Sequence, residues 1–155
     1  MLNLGLKEAV ALNPSEERPS FNVLVCEDDQ LIAYDLMNAL ELGGMNALGP
    51  AMTFEAAALF AESNALDAAV VDLNLKDGRT GVAVARRLYA QGIALILCSS
   101  DVLGPCELDD IHHIFVPKPM AAEALCEFVQ QMAVCRGALQ APEKVEAAGQ
   151  SRRAP

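Results

Sequence analysis

Four short apolar runs, separated by segments of helical periodicity, constrain the fold of this chain more than any other feature. The runs are Val23 to Cys26, Ala68 to Val71, Ile93 to Cys98 and Ile114 to Val116, with a weaker candidate at Asn46 to Leu48. Each run is continuously apolar rather than alternating, which is typical of parallel strands buried on both faces. Strands that alternate with helices predict an α/β fold, a doubly wound five-stranded parallel sheet with helices on both faces.

Helical patterns occupy four segments between and after these runs. The first runs from about Gln30 to Leu42, and the second begins after Thr53, its predicted N-cap. The third runs from about Thr80 to Gln91, and the last begins near Met120. The interval from Asp101 to Asp110 is different, because Gly104-Pro105 interrupts the helix expected there. We therefore expect the fourth helix of the fold, between the last two strands, to be short or irregular.

The length of 155 residues is enough for one domain with a sizeable core and too little for two ordinary ones. In residues 1–20 a polar stretch follows a short helical pattern, which predicts an N-terminal extension and linker. Residues 137–155, rich in Ala, Gln, Pro and Glu, predict a flexible C-terminal tail without a core of its own. Residues 21–136 are then the folded domain.

Charge and cysteine content exclude several classes of protein. The net charge of −10 argues against nucleic acid or an anionic membrane as a partner. No apolar run approaches the ~20 residues of a membrane span, and the N-terminus lacks the pattern of a secretion signal, so we expect a cytoplasmic protein. The five cysteines are odd in number and lack CxxC spacing, which favours reduced structural thiols over a disulfide framework or a zinc site.

The residues that end the predicted strands form the strongest candidate for a functional site. They are Glu27 and Asp28 after the first strand, Asp72 after the third, Ser99 after the fourth and Lys118 after the fifth. In an open parallel sheet, reactive groups collect at the edge where the strands have their carboxyl ends. Carboxylates about 4 Å apart repel by roughly 4 kcal/mol at an effective dielectric of about 20, so such a cluster favours a positive partner. From the residues alone, this partner is a metal ion, a lysine or only solvent.

Each of these residues also has a simpler explanation. Asp28 and Asp29 are well placed to cap the following helix, and for Asp29 capping is favoured over metal binding. Asp72 could begin a turn ahead of a glycine-containing loop. Lys118 and Ser99 could be ordinary loop residues. The agreement of four strand ends is what favours a shared site.

Four motifs, in the order "VLVCEDD", "DLNLKDG", "ILCSSD" and "FVPKP", resemble the receiver domain of two-component response regulators, and the likeness runs from about Phe21 to Val134. The stretches "LIAYDLMNALELGG" and "DLNLKDGRTG" further resemble stand-alone, single-domain receivers that accompany bacterial histidine kinases. The resemblance implies a flavodoxin-like sheet with strand order 2-1-3-4-5. It also implies a response regulator that takes part in phosphorelay signal transduction.

By this resemblance, Asp72 is the phosphoacceptor, the nucleophile that takes a phosphoryl group from a phosphohistidine. The implied cofactor is Mg²⁺, held by Glu27, Asp28 and Asp72 and by the backbone carbonyl of Asn74, directly or through water. Magnesium prefers few carboxylates, several waters and a phosphate oxygen, which suits this set of residues.

The resemblance gives roles to three further residues. Lys118 is expected to pair with the phosphoryl oxygens or with the Asp72 carboxylate, and Ser99 to hydrogen-bond the phosphoryl group. Phe115 occupies the aromatic switch position, with a permanent core residue as an equally open alternative. The resemblance implies a cis bond between Lys118 and the proline that follows it. Pro117 removes a backbone donor, so the fifth strand should be short or at the sheet edge.

The resemblance implies a protein that is not a conventional enzyme but supports its own phosphorylation and dephosphorylation. The expected partners are a sensor histidine kinase or a histidine phosphotransfer protein and a downstream protein target, without a DNA-binding output domain. A phosphate sink and a non-phosphorylated scaffold of a kinase pathway remain alternatives. A dinucleotide-binding enzyme is disfavoured because no GxGxxG follows the first strand. An aspartate-nucleophile phosphatase is disfavoured because the acids of the first strand are adjacent rather than spaced as DxD.

Overall fold

The computed structural model describes residues 21–100 and 106–135, which form a five-stranded sheet with helices on both faces. The strands are β1 (Asn22–Cys26), β2 (Asn46–Ala51), β3 (Ala68–Asp72), β4 (Ala94–Ser99) and β5 (Ile114–Pro117). All are parallel, in the order β2-β1-β3-β4-β5. This confirms the predicted flavodoxin-like arrangement, and it makes β1, β3 and β4 interior strands.

Within the described residues four helices cover the sheet, and side-chain caps fix where the first two begin. The helices are α1 (Gln30–Leu42), α2 (Phe54–Ser63), α3 (Gly81–Ala90) and α4 (Ala122–Cys135). The Asp29 carboxylate accepts hydrogen bonds from the backbone N–H groups of Leu31 and Ile32. The Thr53 hydroxyl accepts one from Ala56. These bonds satisfy donors that have no partner inside the helix, so Asp29 and Thr53 are helix caps, as predicted.

Each face of the sheet has its own apolar core. Val25 and Val70 belong to the core beneath α1 and α4. Leu24 and Val71 belong to the core beneath α2 and α3. Successive strand residues therefore point to opposite apolar layers, which explains why the strand runs are continuous rather than alternating in the sequence.

All five strands differ from their predicted bounds. β1 begins one residue earlier than predicted, and β3, β4 and β5 each end one residue later. Two further differences, at the end of β2 and at the start of β4, have a clear physical reason. β2 continues to Ala51 although it was predicted to end at Leu48 and although it contains Pro50. Because β2 lies at the sheet edge, a residue without a backbone N–H is tolerated there. Ile93, predicted as the first residue of β4, donates its N–H to the carbonyl of Leu88 in α3 instead. The strand therefore begins at the next residue.

The connection between β4 and β5 is the least regular of the described segments. Its described part, residues 106–113, contains one 3-10 turn, Cys106–Leu108, which agrees with the expected short or irregular helix. Two bidentate ion pairs connect this turn and the residues just after it to the α3 side of the domain. The Arg79 guanidinium lies 2.9 Å from Glu107, and the Arg86 guanidinium lies 2.8 Å from Asp110. Bidentate arginine–carboxylate pairs add geometric specificity, so these pairs orient the segment relative to α3.

The chain on either side of Pro117 behaves as predicted. β5 has four residues and lies at the sheet edge, and the bond between Lys118 and Pro119 is cis. A second cis bond, between Gly49 and Pro50, was not predicted from the sequence.

Several predicted segments lie outside the described residues. They are the N-terminal extension at residues 1–20, the interval 101–105 between β4 and the 3-10 turn, and the tail at residues 137–155. Among the helices that are described, none is long and apolar enough to cross a membrane.

We predict that Gly81→Ala destabilises the fold, because α3 begins in direct contact with the end of β3. A Cβ atom at Gly81 would lie 2.0 Å from the backbone oxygen of Asp72 and 2.5 Å from Cα of Leu73. Neither atom can move without shifting the strand end. The free energy of unfolding should fall by roughly 3 kcal/mol, the upper end of overpacking costs, as measured by urea denaturation.

Gly44→Ala is the matched control, because Gly44 has a φ of +84° and open space around it. An alanine there meets only the backbone penalty of a left-handed conformation, about 1 kcal/mol. Equal losses for Gly44→Ala and Gly81→Ala would contradict the steric explanation.

Candidate functional site

The ends of β1 and β3 bring three carboxylates to one edge of the sheet. Glu27 follows β1 and Asp72 ends β3, and both side chains are buried, whereas Asp28 is exposed. One oxygen atom from each of the three carboxylates lies within 4.8 Å of the others. We call these three residues the acidic cluster. Neighbouring interior strands thus bring together acids that are far apart in the sequence.

Lys118 supplies a positive charge between two members of the acidic cluster. Its Nζ lies 2.7 Å from Oε2 of Glu27 and 2.6 Å from Oδ2 of Asp72. The Lys118 side chain is only 19% exposed, so solvent screens these pairs less than it screens surface pairs. The backbone N–H of Lys118 donates to the carbonyl of Ser99 at 2.8 Å. This bond fixes Lys118 to the end of β4, beside the cluster.

The remaining oxygens of the two buried carboxylates accept backbone hydrogen bonds from the turns that follow. Oε1 of Glu27 accepts from the N–H of Asp29 at 3.1 Å. Oδ1 of Asp72 accepts from the N–H of Asn74 at 2.9 Å. Each carboxylate is therefore held between Lys118 and its own turn. Asn74, whose carbonyl the resemblance implies as a metal ligand, lies exposed in the turn after β3.

Burial and ion pairing act in opposite directions on the charges of the site. Burial raises the pKa of Glu27, although the hydrogen bonds from Lys118 and from the backbone of Asp29 oppose the shift. Burial also tends to lower the pKa of Lys118, but its hydrogen bonds to Asp72 and Glu27 outweigh that effect, and the pKa is raised. Lys118 is therefore charged at neutral pH. One ammonium cannot balance all three carboxylates when they are ionised.

The acidic cluster could hold a metal ion, and its chemistry fits a hard cation. Glu27, Asp28 and Asp72 each offer a carboxylate oxygen, and Mg²⁺ prefers oxygen ligands and retains several waters. Asp28 lies on the exposed side, where water ligands are available. Within the described residues the cluster contains no histidine or cysteine, which disfavours zinc.

Two serines follow one another where β4 ends. Ser99 is fully buried and is the last residue of the strand. Ser100 is exposed and lines the same cavity as Asp72 and Lys118. Only Ser99 was predicted from the sequence as a site residue. The repeated serine in "LCSSD" was the signal that could have identified Ser100 as well.

Phe115, the predicted switch residue, lies in β5 beside Leu97 of β4. Its side chain is partly buried and packs against the core beneath α2 and α3. This burial is compatible with both alternatives, a permanent core residue and an aromatic ring that changes position.

Two thiols lie close to the acidic cluster in the sheet. Cys26 precedes Glu27 in β1, and Cys98 pairs with Asp72 across β3 and β4. Burial raises the pKa of each thiol to about 12, so both are neutral and unreactive at neutral pH. The four cysteines whose side chains are described, Cys26, Cys98, Cys126 and Cys135, are free.

Comparison with solved structures identifies the architecture. No protein-family model and no curated protein matches the chain. A CheY-like response regulator receiver domain protein from Methanospirillum hungatei JF-1 is 18% identical with a TM-score of 0.67, over 76% of this chain and 97% of that one. The REC domain of the response regulator PhyR from Erythrobacter litoralis is 22% identical with a TM-score of 0.63, over 74% and 91%. SdrG from Sphingomonas melonis Fr1 is 26% identical with a TM-score of 0.61, over 74% and 97%.

These likenesses extend over whole domains rather than over fragments. Each alignment covers about three quarters of this chain and more than nine tenths of the other one. The described part of this chain therefore folds as a response-regulator receiver domain.

Proposed function

We propose that this chain is a response regulator that accepts a phosphoryl group on Asp72 and signals through contacts with other proteins. The placement of Asp72 supports this most directly. Asp72 ends an interior strand, its carboxylate pairs with Lys118, and two further carboxylates lie beside it. Rigid strand ends hold these groups in position, and the exposed Asp28 marks the side that is open to solvent. The proposed setting is the cytoplasm, where magnesium and a kinase partner are both available.

The proposed donor is a phosphohistidine of a sensor histidine kinase or of a histidine phosphotransfer protein. An Asp72 oxygen attacks the phosphorus, an O–P bond forms, and the P–N bond to the imidazole breaks. The imidazole nitrogen keeps the electron pair of that bond. With a proton on the other ring nitrogen, the imidazole leaves as a neutral molecule. Phosphoryl transfer depends mainly on alignment and on neutralised charge. The fixed charges around Asp72 can supply both without a separate general base.

Lys118 and the serines are the residues proposed to respond to the phosphoryl group. Before transfer, Lys118 pairs with Asp72 and Glu27 at 2.6 and 2.7 Å. After transfer, the phosphoryl oxygens carry more negative charge and attract the ammonium. Ser99 is proposed to hydrogen-bond the phosphoryl group, with Ser100 as a second hydroxyl at the same strand end. A movement of Ser99 would then free space for Phe115, as a two-position switch requires.

Glu27, Asp28 and Asp72, with the backbone carbonyl of Asn74, are the proposed ligands of Mg²⁺. The bound ion would supply positive charge that reduces the repulsion between these carboxylates and a phosphoryl group. Lys118 alone leaves the acidic cluster with net negative charge, which supports a requirement for a second cation.

We predict that acetyl phosphate with Mg²⁺ adds one phosphoryl group to the protein, because it can replace the phosphohistidine as donor. Intact-mass spectrometry measures the gain. Asp72→Asn should abolish it, since the amide is a poor nucleophile. Asp35→Asn is the matched control, because Asp35 is exposed on α1 and lies outside the acidic cluster. This control should be phosphorylated like the wild type.

An unmodified wild-type protein would contradict the phosphoacceptor proposal and would favour the alternative of a non-phosphorylated scaffold. Equal modification of the wild type and of Asp72→Asn would show that the phosphoryl group is bound elsewhere.

We predict that Lys118→Met lowers the free energy of unfolding by about 3 kcal/mol without divalent ions, because two buried carboxylates lose their shared counter-charge. Mg²⁺ should restore part of this loss, since it binds the folded site and supplies positive charge there. Urea denaturation with and without Mg²⁺ measures both effects.

Lys76→Met is the control for the loss of one lysine charge, because Lys76 is exposed in the connection after β3. We expect it to change the stability little. The interpretation of Lys118 is wrong if both variants lose the same stability, or if Mg²⁺ restores none of the loss in Lys118→Met.

A further inference from the structure

A largely apolar cavity of about 500 Å³ opens beside the acidic cluster. Its apolar wall includes Ile32 and Leu36 from α1, Val70 and Cys98 from the strands, and Pro119 and Met120 from the connection to α4. Three of these side chains reach into the core, since Leu36, Val70 and Cys98 are at most 6% exposed. The volume is within the range of small-molecule sites, which combine an apolar wall with a few convergent polar groups.

The proposed phosphoryl chemistry does not use the apolar part of this cavity. A phosphoryl group and a hydrated magnesium ion interact with charged and polar atoms, whereas Leu36 and Val70 offer only hydrocarbon. Water against the apolar part of the wall makes few hydrogen bonds, so its displacement by a hydrocarbon group is favourable. The cavity therefore points to a ligand with an apolar part.

The charges on the cavity wall restrict the polar part of such a ligand. Glu27, Asp72 and Lys118 all line the cavity, and Asp28 lies within 4.8 Å of the other two carboxylates. With the three carboxylates ionised, one ammonium leaves an excess of negative charge. Electrostatic complementarity favours a positive group at this end and disfavours a negative one.

We propose that this cavity binds a small amphiphilic amine, whose compact alkyl or aryl group lies against Leu36 and Val70 and whose single ammonium lies against Glu27 and Asp72. The apolar wall selects for the hydrocarbon part, and the excess of carboxylates selects for the positive charge. Because the ammonium and Mg²⁺ use the same two carboxylates, the amine competes with the ion. Inhibition of phosphorylation by the amine rests on the proposed function above, whereas the binding of the amine does not.

Isothermal titration calorimetry of the full chain without Mg²⁺ tests the binding, with the series from n-propylamine to n-hexylamine as probes. Each methylene that enters the cavity should raise the affinity about threefold to fourfold. 1-Hexanol should bind more weakly than n-hexylamine at neutral pH, and hexanoate should bind most weakly. Equal affinity for these three molecules overturns the proposal, and so does the absence of binding by the amine.

Two substitutions test the apolar part and the charged part separately. Cys98→Met fills the cavity with a longer, adaptable side chain and should weaken n-hexylamine binding about tenfold or more. Cys135→Met, the same change at an exposed position, should leave the affinity unchanged. Glu27→Gln should remove most of the preference for n-hexylamine over 1-hexanol. Unchanged n-hexylamine affinity in Cys98→Met would place the ligand elsewhere and overturn the proposal.

Magnesium titrations provide an independent readout on the wild-type protein. Saturating n-hexylamine should lower the apparent affinity for Mg²⁺, because reciprocal coupling follows when two cations use the same carboxylates. An unchanged magnesium affinity contradicts the shared site. Phosphorylation by acetyl phosphate without the amine tests the proposed function separately, so the failure of one proposal is distinguishable from the failure of the other.

Discussion

The two ion pairs of Lys118 connect strand ends that are far apart in the chain. Lys118 is 91 residues from Glu27 and 46 residues from Asp72, and it reaches both because β1, β3 and β5 run in the same direction. Buried ion pairs add little net stability relative to apolar packing, but the loss of one partner is costly. The residues of the site therefore also affect the stability of the fold. The positive charge of Lys118 offsets part of the repulsion between these carboxylates.

The connection after β3 extends this coupling to the neighbouring loops. Asp77 accepts a hydrogen bond from the backbone N–H of Phe54 at 3.0 Å, at the start of α2. Arg79 pairs with Glu107 in the 3-10 turn on the other side. This connection begins directly after Asp72, and it contacts both the start of α2 and the 3-10 turn. It therefore links the acidic cluster to the irregular segment before β5. The ion pairs are exposed, so they contribute orientation more than stability.

Much of the fold and the site could be predicted because their signals are local. Continuous apolar runs require burial on both faces, and acids directly after such runs must lie at the end of the sheet where the strands have their carboxyl ends. Other features depend on contacts that the sequence does not display. The full length of β2 depends on its edge position, which makes Pro50 tolerable. Ser100 was not predicted although the serine repeat is visible in the sequence, because its position in the cavity wall depends on the fold.

The sequence by itself determined the parallel α/β architecture, the caps at Asp29 and Thr53, and the set of residues at the strand ends, since each follows from periodicity or from a residue's position in its own segment. Only the tertiary structure decided that Lys118 reaches both Glu27 and Asp72, because that depends on distances between segments. It also decided that an apolar cavity lies beside them. A cavity is the space left after α1, the strands and the last connection have packed, and the individual segments do not encode it.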